Sequence, residues 1–94
     1  INIDDPSIDL AVISSIISSH ENIPIDRNIC FSGEIGLSGE LRGISKPKER
    51  LSEAEKLGFN LFVTSNSNID NLDKSKIVIK KLDQIEDLIE FLFK

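Results

Sequence analysis

Residues 31–59, from Phe31 to Phe59, read FSGEIGLSGELRGISKPKERLSEAEKLGF, and the architecture follows from this stretch. With the preceding Asn28-Ile29-Cys30, its opening has the apolar, partly β-branched content of a strand, predicted over 28–35. Gly36-Leu37-Ser38-Gly39 interrupts that strand with two flexible residues, and Leu41 to Ile44 reads as a return strand. Pro47 suits the first position of a helix, where its missing N–H is one that a helix start leaves unbonded anyway. Leu51, Ala54 and Leu57 fall on one stripe of that helix, and Gly58 stands where a left-handed residue commonly ends one.

Upstream, Asp4 and Asp5 before Pro6 predict the start of an earlier helix, running to about Ser19. Ile8, Leu10, Ala11, Val12, Ile13, Ile16 and Ile17 surround most of its circumference, which predicts burial on several sides. Ser7, Ser14, Ser15 and Ser18 supply small side chains where a neighbour can approach closely. Downstream, Leu61 to Thr64 and Ile77 to Ile79 read as short strands separated by a polar loop over 65–76. Asp83 with Glu86 three residues on predicts a capping box, and Ile85, Leu88, Ile89 and Leu92 recur at helical spacing. The order helix, two strands, helix, strand, strand, helix implies one α/β (α+β) domain over 1–94, with helices packed on a small mixed sheet.

The composition narrows the function classes. With 39% hydrophobic and 29% charged residues the chain has enough apolar material to fold, and no apolar run approaches the roughly 20 residues of a membrane helix. A soluble, cytoplasmic protein is expected. The chain has no methionine and opens on Ile1 in mid-strand-like sequence, as a piece of a longer polypeptide does. A lone Cys30, with only His20 for company, forms neither an internal disulfide nor a usual zinc site, so a small buried apolar role is expected and no metal. His20 lies near the expected end of the first helix, where free carbonyls favour a capping role.

A net charge of −5 argues against nucleic-acid binding through overall charge, so any such contact needs a local patch. Arg42, Lys46, Lys48, Arg50 and Lys56 are five of the eleven basic residues, partly cancelled by Glu49, Glu53 and Glu55. They fit a phosphate-contacting surface, but from sequence alone an ordinary solvated helix with intrahelical pairs fits them somewhat better. Phe31, Phe59, Phe62, Phe91 and Phe93 read as core and not as a base-stacking platform. Gly33, Gly36, Gly39 and Gly43 lie in strands and a turn, which is not the setting of a phosphate-binding loop.

The run Gly33-Glu34-Ile35-Gly36-Leu37-Ser38-Gly39-Glu40, the run Glu53-Ala54-Glu55-Lys56-Leu57-Gly58-Phe59 and the segment from Asp5 to Val12 carry a resemblance. They resemble the Lon-protease-like domain that closes bacterial DNA repair proteins of the RadA (Sms) family. The resemblance covers nearly the whole chain and implies a Lon-proteolytic-domain-like fold whose N-terminal strands lie upstream of Ile1. It also implies a noncatalytic scaffold and DNA-channel domain in a DNA-dependent ATPase that drives branch migration in recombinational repair. Zinc, ATP and Mg would belong to other parts of that protein and no cofactor to this one. The implied partners are DNA, the RecA recombinase and further copies of the protein in a hexameric ring.

Lon-type proteases pair a serine at the head of the central helix with a lysine on the next surface helix. Laid on this chain without a gap, the resemblance puts Ser7 at the nucleophile and Arg50 at the base, 43 positions apart (50 − 7). In such a dyad the lysine, its pKa lowered by burial, takes the serine proton. An arginine stays protonated and cannot do so. Lys48 lies about 200° round the helix from Arg50, on the face shared with Ser52 and Glu55. Arg50 itself aligns with Ala54 and Leu57 and borders the apolar stripe.

Asp5, Ile8 and Asp9 stand where the protease pattern has Gly, Ala and Gly; their bulk and charge obstruct a substrate and oppose an oxyanion. Asp9 is a candidate ion-pair partner of Arg50. Ser7 then reads as a first-turn hydroxyl bonding a backbone N–H. The alternative is a divergent Lon-type peptidase using Ser7, with Lys48 or another group as base.

Overall fold

The computed structural model describes residues 8–66 and 76–94. Within them the chain forms β1 (Ile8–Asp9), α1 (Leu10–Glu21), β2 (Ile29–Ser32), β3 (Glu34–Ile35) and β4 (Leu41–Arg42). There follow α2 (Pro47–Lys56), β5 (Leu61–Ser65), β6 (Val78–Leu82) and α3 (Ile85–Phe93). The α/β class and helix order match expectation. The strands, however, divide into two three-stranded sheets and not one mixed sheet: an antiparallel sheet in the order β1-β3-β4 and a parallel sheet in the order β2-β5-β6.

Gly33 is where the expected 28–35 strand changes sheets. Ile29 to Ser32 pair in parallel with Leu61 to Thr64, whereas Glu34 and Ile35 pair antiparallel with Asp9 and Ile8. At the break the Gly33 carbonyl accepts the N–H of Leu10 at 3.0 Å. A Cβ on Gly33 would lie 2.9 Å from Leu10 Cδ1 and 3.2 Å from the Arg42 carbonyl oxygen, so glycine permits this approach.

The first helix begins later than Asp4-Asp5-Pro6 predicts, because Ile8 and Asp9 are used in the antiparallel sheet. Asp9 has extended backbone (φ −60°, ψ 138°), and its Oδ1 accepts the Ala11 N–H at 2.7 Å, which makes it the N-cap. The helix runs past Ser19 to Glu21, where left-handed Asn22 ends it by donating its N–H to the Ser18 carbonyl. Burial on several sides is also corrected: Leu10 and Ser14 are buried, but Val12 and Ile16, one turn apart, are 51% and 55% exposed.

Alternation along the parallel strands places apolar groups on both faces of that sheet. Val63 joins Leu10, Ile35, Leu41, Leu82 and Leu88, with Phe31 packed against them. Phe62 joins Leu51, Ala54 and Ile77, with Cys30, Phe59 and Ile79 alongside. Helices α1 and α3 therefore cover one face and α2 the other. The α2 stripe ends sooner than expected, since Leu57 is 69% exposed, while Gly58 has the predicted left-handed φ of 86°.

The second strand of the downstream pair is Val78–Leu82, later than the predicted 77–79, and it pairs in parallel with Leu61–Ser65. Ser65 belongs to β5; of the predicted loop over 65–76, residues 67–75 lie outside the described residues. The capping box of α3 is one residue on from Asp83-Glu86. Gln84 donates its backbone N–H to Asp87 Oδ2 at 3.1 Å, while Asp83 Oδ1 accepts from Asn66 Nδ2 at 2.8 Å. Phe62 is core as expected, but Phe91 is exposed, with Lys80 Nζ 5.2 Å from its ring centroid.

Candidate functional site

Three features of the sequence converge on the groove between β2 and α2. Strand β2 is held at its far end by Thr64, whose Oγ1 donates to the Ser32 carbonyl at 2.7 Å. Along it, Cys30 and Ser32 are two residues apart in an unbroken strand and so face the same side, the side on which Cys30 packs with the α2 cluster. From α2, Arg50 and Glu53 stand one turn apart and meet Cys30, Ser32, Ala54 and Phe59 around an open cavity of about 220 Å³.

The electrostatics of that cavity are mixed. Burial pushes the Cys30 thiol up, while the Arg50 guanidinium pulls it down and the Glu53 carboxylate adds to the rise, so both charges are felt there. Ser32 is 2% exposed, and among the described residues its Oγ has no hydrogen-bond partner. Arg50 itself is exposed. Cys30 is half-buried, less enclosed than the small core residue expected of it, and its environment disfavours the thiolate.

Of the two positions that the protease pattern matches, Ser7 lies outside the described residues. Arg50 lies on α2 facing the cavity, as its alignment with Ala54 predicts. Asp9 does not serve it. Its carboxylate caps α1, and among the described residues it forms no ion pair with Arg50. Lys48 is exposed with Glu49, Ser52 and Lys56 on the outer face of the helix, away from this cavity.

The basic segment does not form one surface of equivalent charges. Arg42 is half-exposed and bonded through Nε and Nη2 to Glu40 Oε2, at 3.2 and 3.0 Å. Glu40 Oε1 also accepts the Ser38 N–H at 3.0 Å. Its own backbone N–H, followed by the Arg42 guanidinium, holds the Glu40 carboxyl below the usual carboxylate range. Lys46 is the N-cap of α2 in left-handed backbone (φ 56°, ψ 54°), with its carbonyl accepting the Arg50 N–H at 3.2 Å.

His20 lies exposed in the last turn of α1, Nδ1 4.0 Å from Glu21, and the cap it was expected to provide falls to Asn22. Among the described residues no three His, Cys, Asp or Glu side chains gather as metal ligands do, and no helix is long and apolar enough to cross a membrane. The sequence reading missed Ser32 and Glu53 as site residues. The spacing of Ser32 from Cys30 on one strand, and of Glu53 from Arg50 on one helix, was the available signal.

Over residues 1–94 the chain matches the family of the Lon protease (S16) C-terminal proteolytic domain. It is 42% identical over 76 residues to the DNA repair protein RadA of Bacillus subtilis, covering 81% of this chain and 17% of that protein. To RadA of Streptococcus pneumoniae it is 44% identical over 68 residues, 71% of this chain and 16% of that protein. To RadA of Rickettsia typhi it is 46% identical over 72 residues, 77% of this chain and 16% of that protein. The chain thus spans less than a fifth of the length of these relatives. A two-faced parallel sheet with helices on both faces and a match from end to end agree: the chain belongs to the Lon protease (S16) C-terminal proteolytic domain family, in which it is similar to the C-terminal domain of RadA.

Proposed function

We propose that this chain acts in DNA repair as a noncatalytic framework and DNA-facing domain of a RadA-type protein. The carrying observation is Arg50: where a Lon-type dyad needs a lysine that can lose its proton, α2 presents a guanidinium that keeps it. Similarity to DNA repair proteins named RadA supports the repair role. The remainder of such a protein would supply ATP hydrolysis with Mg and a zinc motif. It would act as a cytoplasmic DNA translocase, forming a homohexameric ring, cooperating with RecA and extending recombination intermediates by branch migration.

Within this reading the phosphate contacts come from Arg42, Lys46, Lys48 and Arg50. Arg42 is partly neutralised by Glu40, so Lys46 and Lys48 carry the larger share. The experiment is duplex affinity of the full-length protein against salt, with Arg42, Lys46 and Lys48 changed together to alanine. Each phosphate that the variant leaves without a cation lowers the slope of log K against log salt by about 0.9. A slope smaller by about 2 to 3 supports the surface, and an unchanged affinity and slope removes it.

The family match itself favours a second reading, a divergent peptidase using Ser7. It requires a serine that reacts with acylating probes.

A further inference from the structure

The parallel sheet ends in an open strand edge with a helix above it. In the ladder of β2 with β5, the Asn28 carbonyl accepts the Leu61 N–H at 3.3 Å, so the backbone groups of Asn28, Cys30 and Ser32 turn toward β5. Those of Ile29 and Phe31 turn outward, and among the described residues no backbone group bonds them there. Gly33, next in that phase, takes the Leu10 N–H on the outer side at 3.0 Å. Helix α1 precedes β2 and packs chiefly on β1 and β2. A helix that leads into a strand of a parallel sheet is ordinarily a crossover from a neighbouring parallel strand, and it covers both. In this sheet α1 covers one strand, while Val12 and Ile16 stand exposed on a helix with no charge from Leu10 to Ser19.

We propose that one extended strand of the same polypeptide, from the part that precedes Ile1, pairs in parallel with the open edge of β2 and packs beneath Val12 and Ile16. Its backbone bonds Ile29 and Phe31. Its side chains alternate between the α1 face and the α2 face, where Cys30, Ala54 and Phe59 lie, so the strand is apolar on both sides. Size selects the occupant. The α1 flank is about 18 Å long, and with two edge residues it falls well short of the roughly 800 Å² that a separate partner needs on each side. A tethered strand meets the same edge at an effective concentration in the mM range. The net charge of −5 on each chain also opposes a second copy there. Relatives of which this chain spans less than a fifth have ample polypeptide to supply a strand. The assignment rests on the family membership and stands apart from the DNA contacts.

The test is amide hydrogen exchange at single-residue resolution in the full-length protein without DNA. The Ile29 and Phe31 amides should exchange within about tenfold of Cys30 and Ser32, which β5 already bonds. Exchange faster than that, approaching the rate of exposed Leu37, overturns the assignment. Dilution to the monomer should leave the protection in place, and protection lost on dilution would give the edge to a second copy and also overturn it. Val12→Asp combined with Ile16→Asp should speed exchange at Ile29 and Phe31 about tenfold or more, with Cys30 and Ser32 changing less. Unchanged exchange in that variant would contradict the proposal. Where the double variant does not fold, Val12→Ser supplies the same comparison with a smaller change in the same direction.

Discussion

Glu40 and Arg42, two residues apart at the turn from β3 to β4, are joined by two hydrogen bonds to one carboxylate oxygen, at 3.2 and 3.0 Å. The other oxygen of Glu40 takes the Ser38 N–H, so one carboxylate fixes both the turn and the arginine. The Glu40 carboxyl is depressed below its ordinary value of 4.5. A carboxyl depressed on folding adds stability that is fully present above its unfolded value and is lost as pH falls through the folded one. The protein should therefore lose stability as pH drops from about 4.5 downward, and Glu40→Gln should lose that component of the pH dependence. Thermal unfolding from pH 7 to pH 3 checks this, and parallel curves for the two proteins would contradict it.

Gly33 and Gly58 should respond differently to alanine. At Gly33 the added methyl meets Leu10 Cδ1 and the Arg42 backbone, and overpacking of this kind costs about 1–3 kcal/mol. At Gly58 nothing lies within 4 Å and only the left-handed backbone resists, at about 1–2 kcal/mol. Chemical denaturation measures both. The distinguishing result is crystallographic: Leu10 shifts in Gly33→Ala, while Gly58→Ala leaves its neighbours in place.

Lys46 combines strained backbone with positive charge, and one substitution separates the two. Lys46→Gly should stabilise the fold by roughly 0.5–1 kcal/mol, because a left-handed φ suits glycine. The same change should reduce the salt slope of DNA binding by about 0.9 if Lys46 contacts a phosphate. A variant that is destabilised would show that the lysine side chain holds the helix start in place.

Asp9→Ala removes the hydrogen bond to the Ala11 N–H and should cost about 1 kcal/mol, with Asp9→Asn costing much less. Were Asp9 instead a partner of Arg50, Asn would cost as much as Ala. Urea denaturation of the two variants decides between these roles.

Periodicity and punctuation made most of the fold legible. Pro47 and Gly58 bracket α2 as read, and Ile85, Leu88 and Leu92 do place α3 against the core. What escaped were features set by pairing across the chain. Nothing local marks Gly33 as the point where a strand leaves one sheet for another, since the cause is Leu10 more than twenty residues upstream. For the same reason a tandem of acids before Pro6 outweighed Asp9, whose capping role follows from Ile8-Asp9 pairing with Glu34-Ile35. At the site, Arg50 was legible because its helix phase could be counted. Ser32 was not, because an unpaired hydroxyl is a property of packing.

Acylation of Ser7 decides whether a Lon-type framework persists here without Lon-type chemistry. The full-length protein would be incubated with a fluorophosphonate probe and modification at Ser7 quantified by mass spectrometry, with Ser7→Ala as the control. On the proposal that Arg50 stands in place of the basic lysine, no labelling of Ser7 above that control is expected. Stoichiometric labelling of Ser7, lost in Ser7→Ala, would show that the nucleophile is still activated and would overturn the noncatalytic reading.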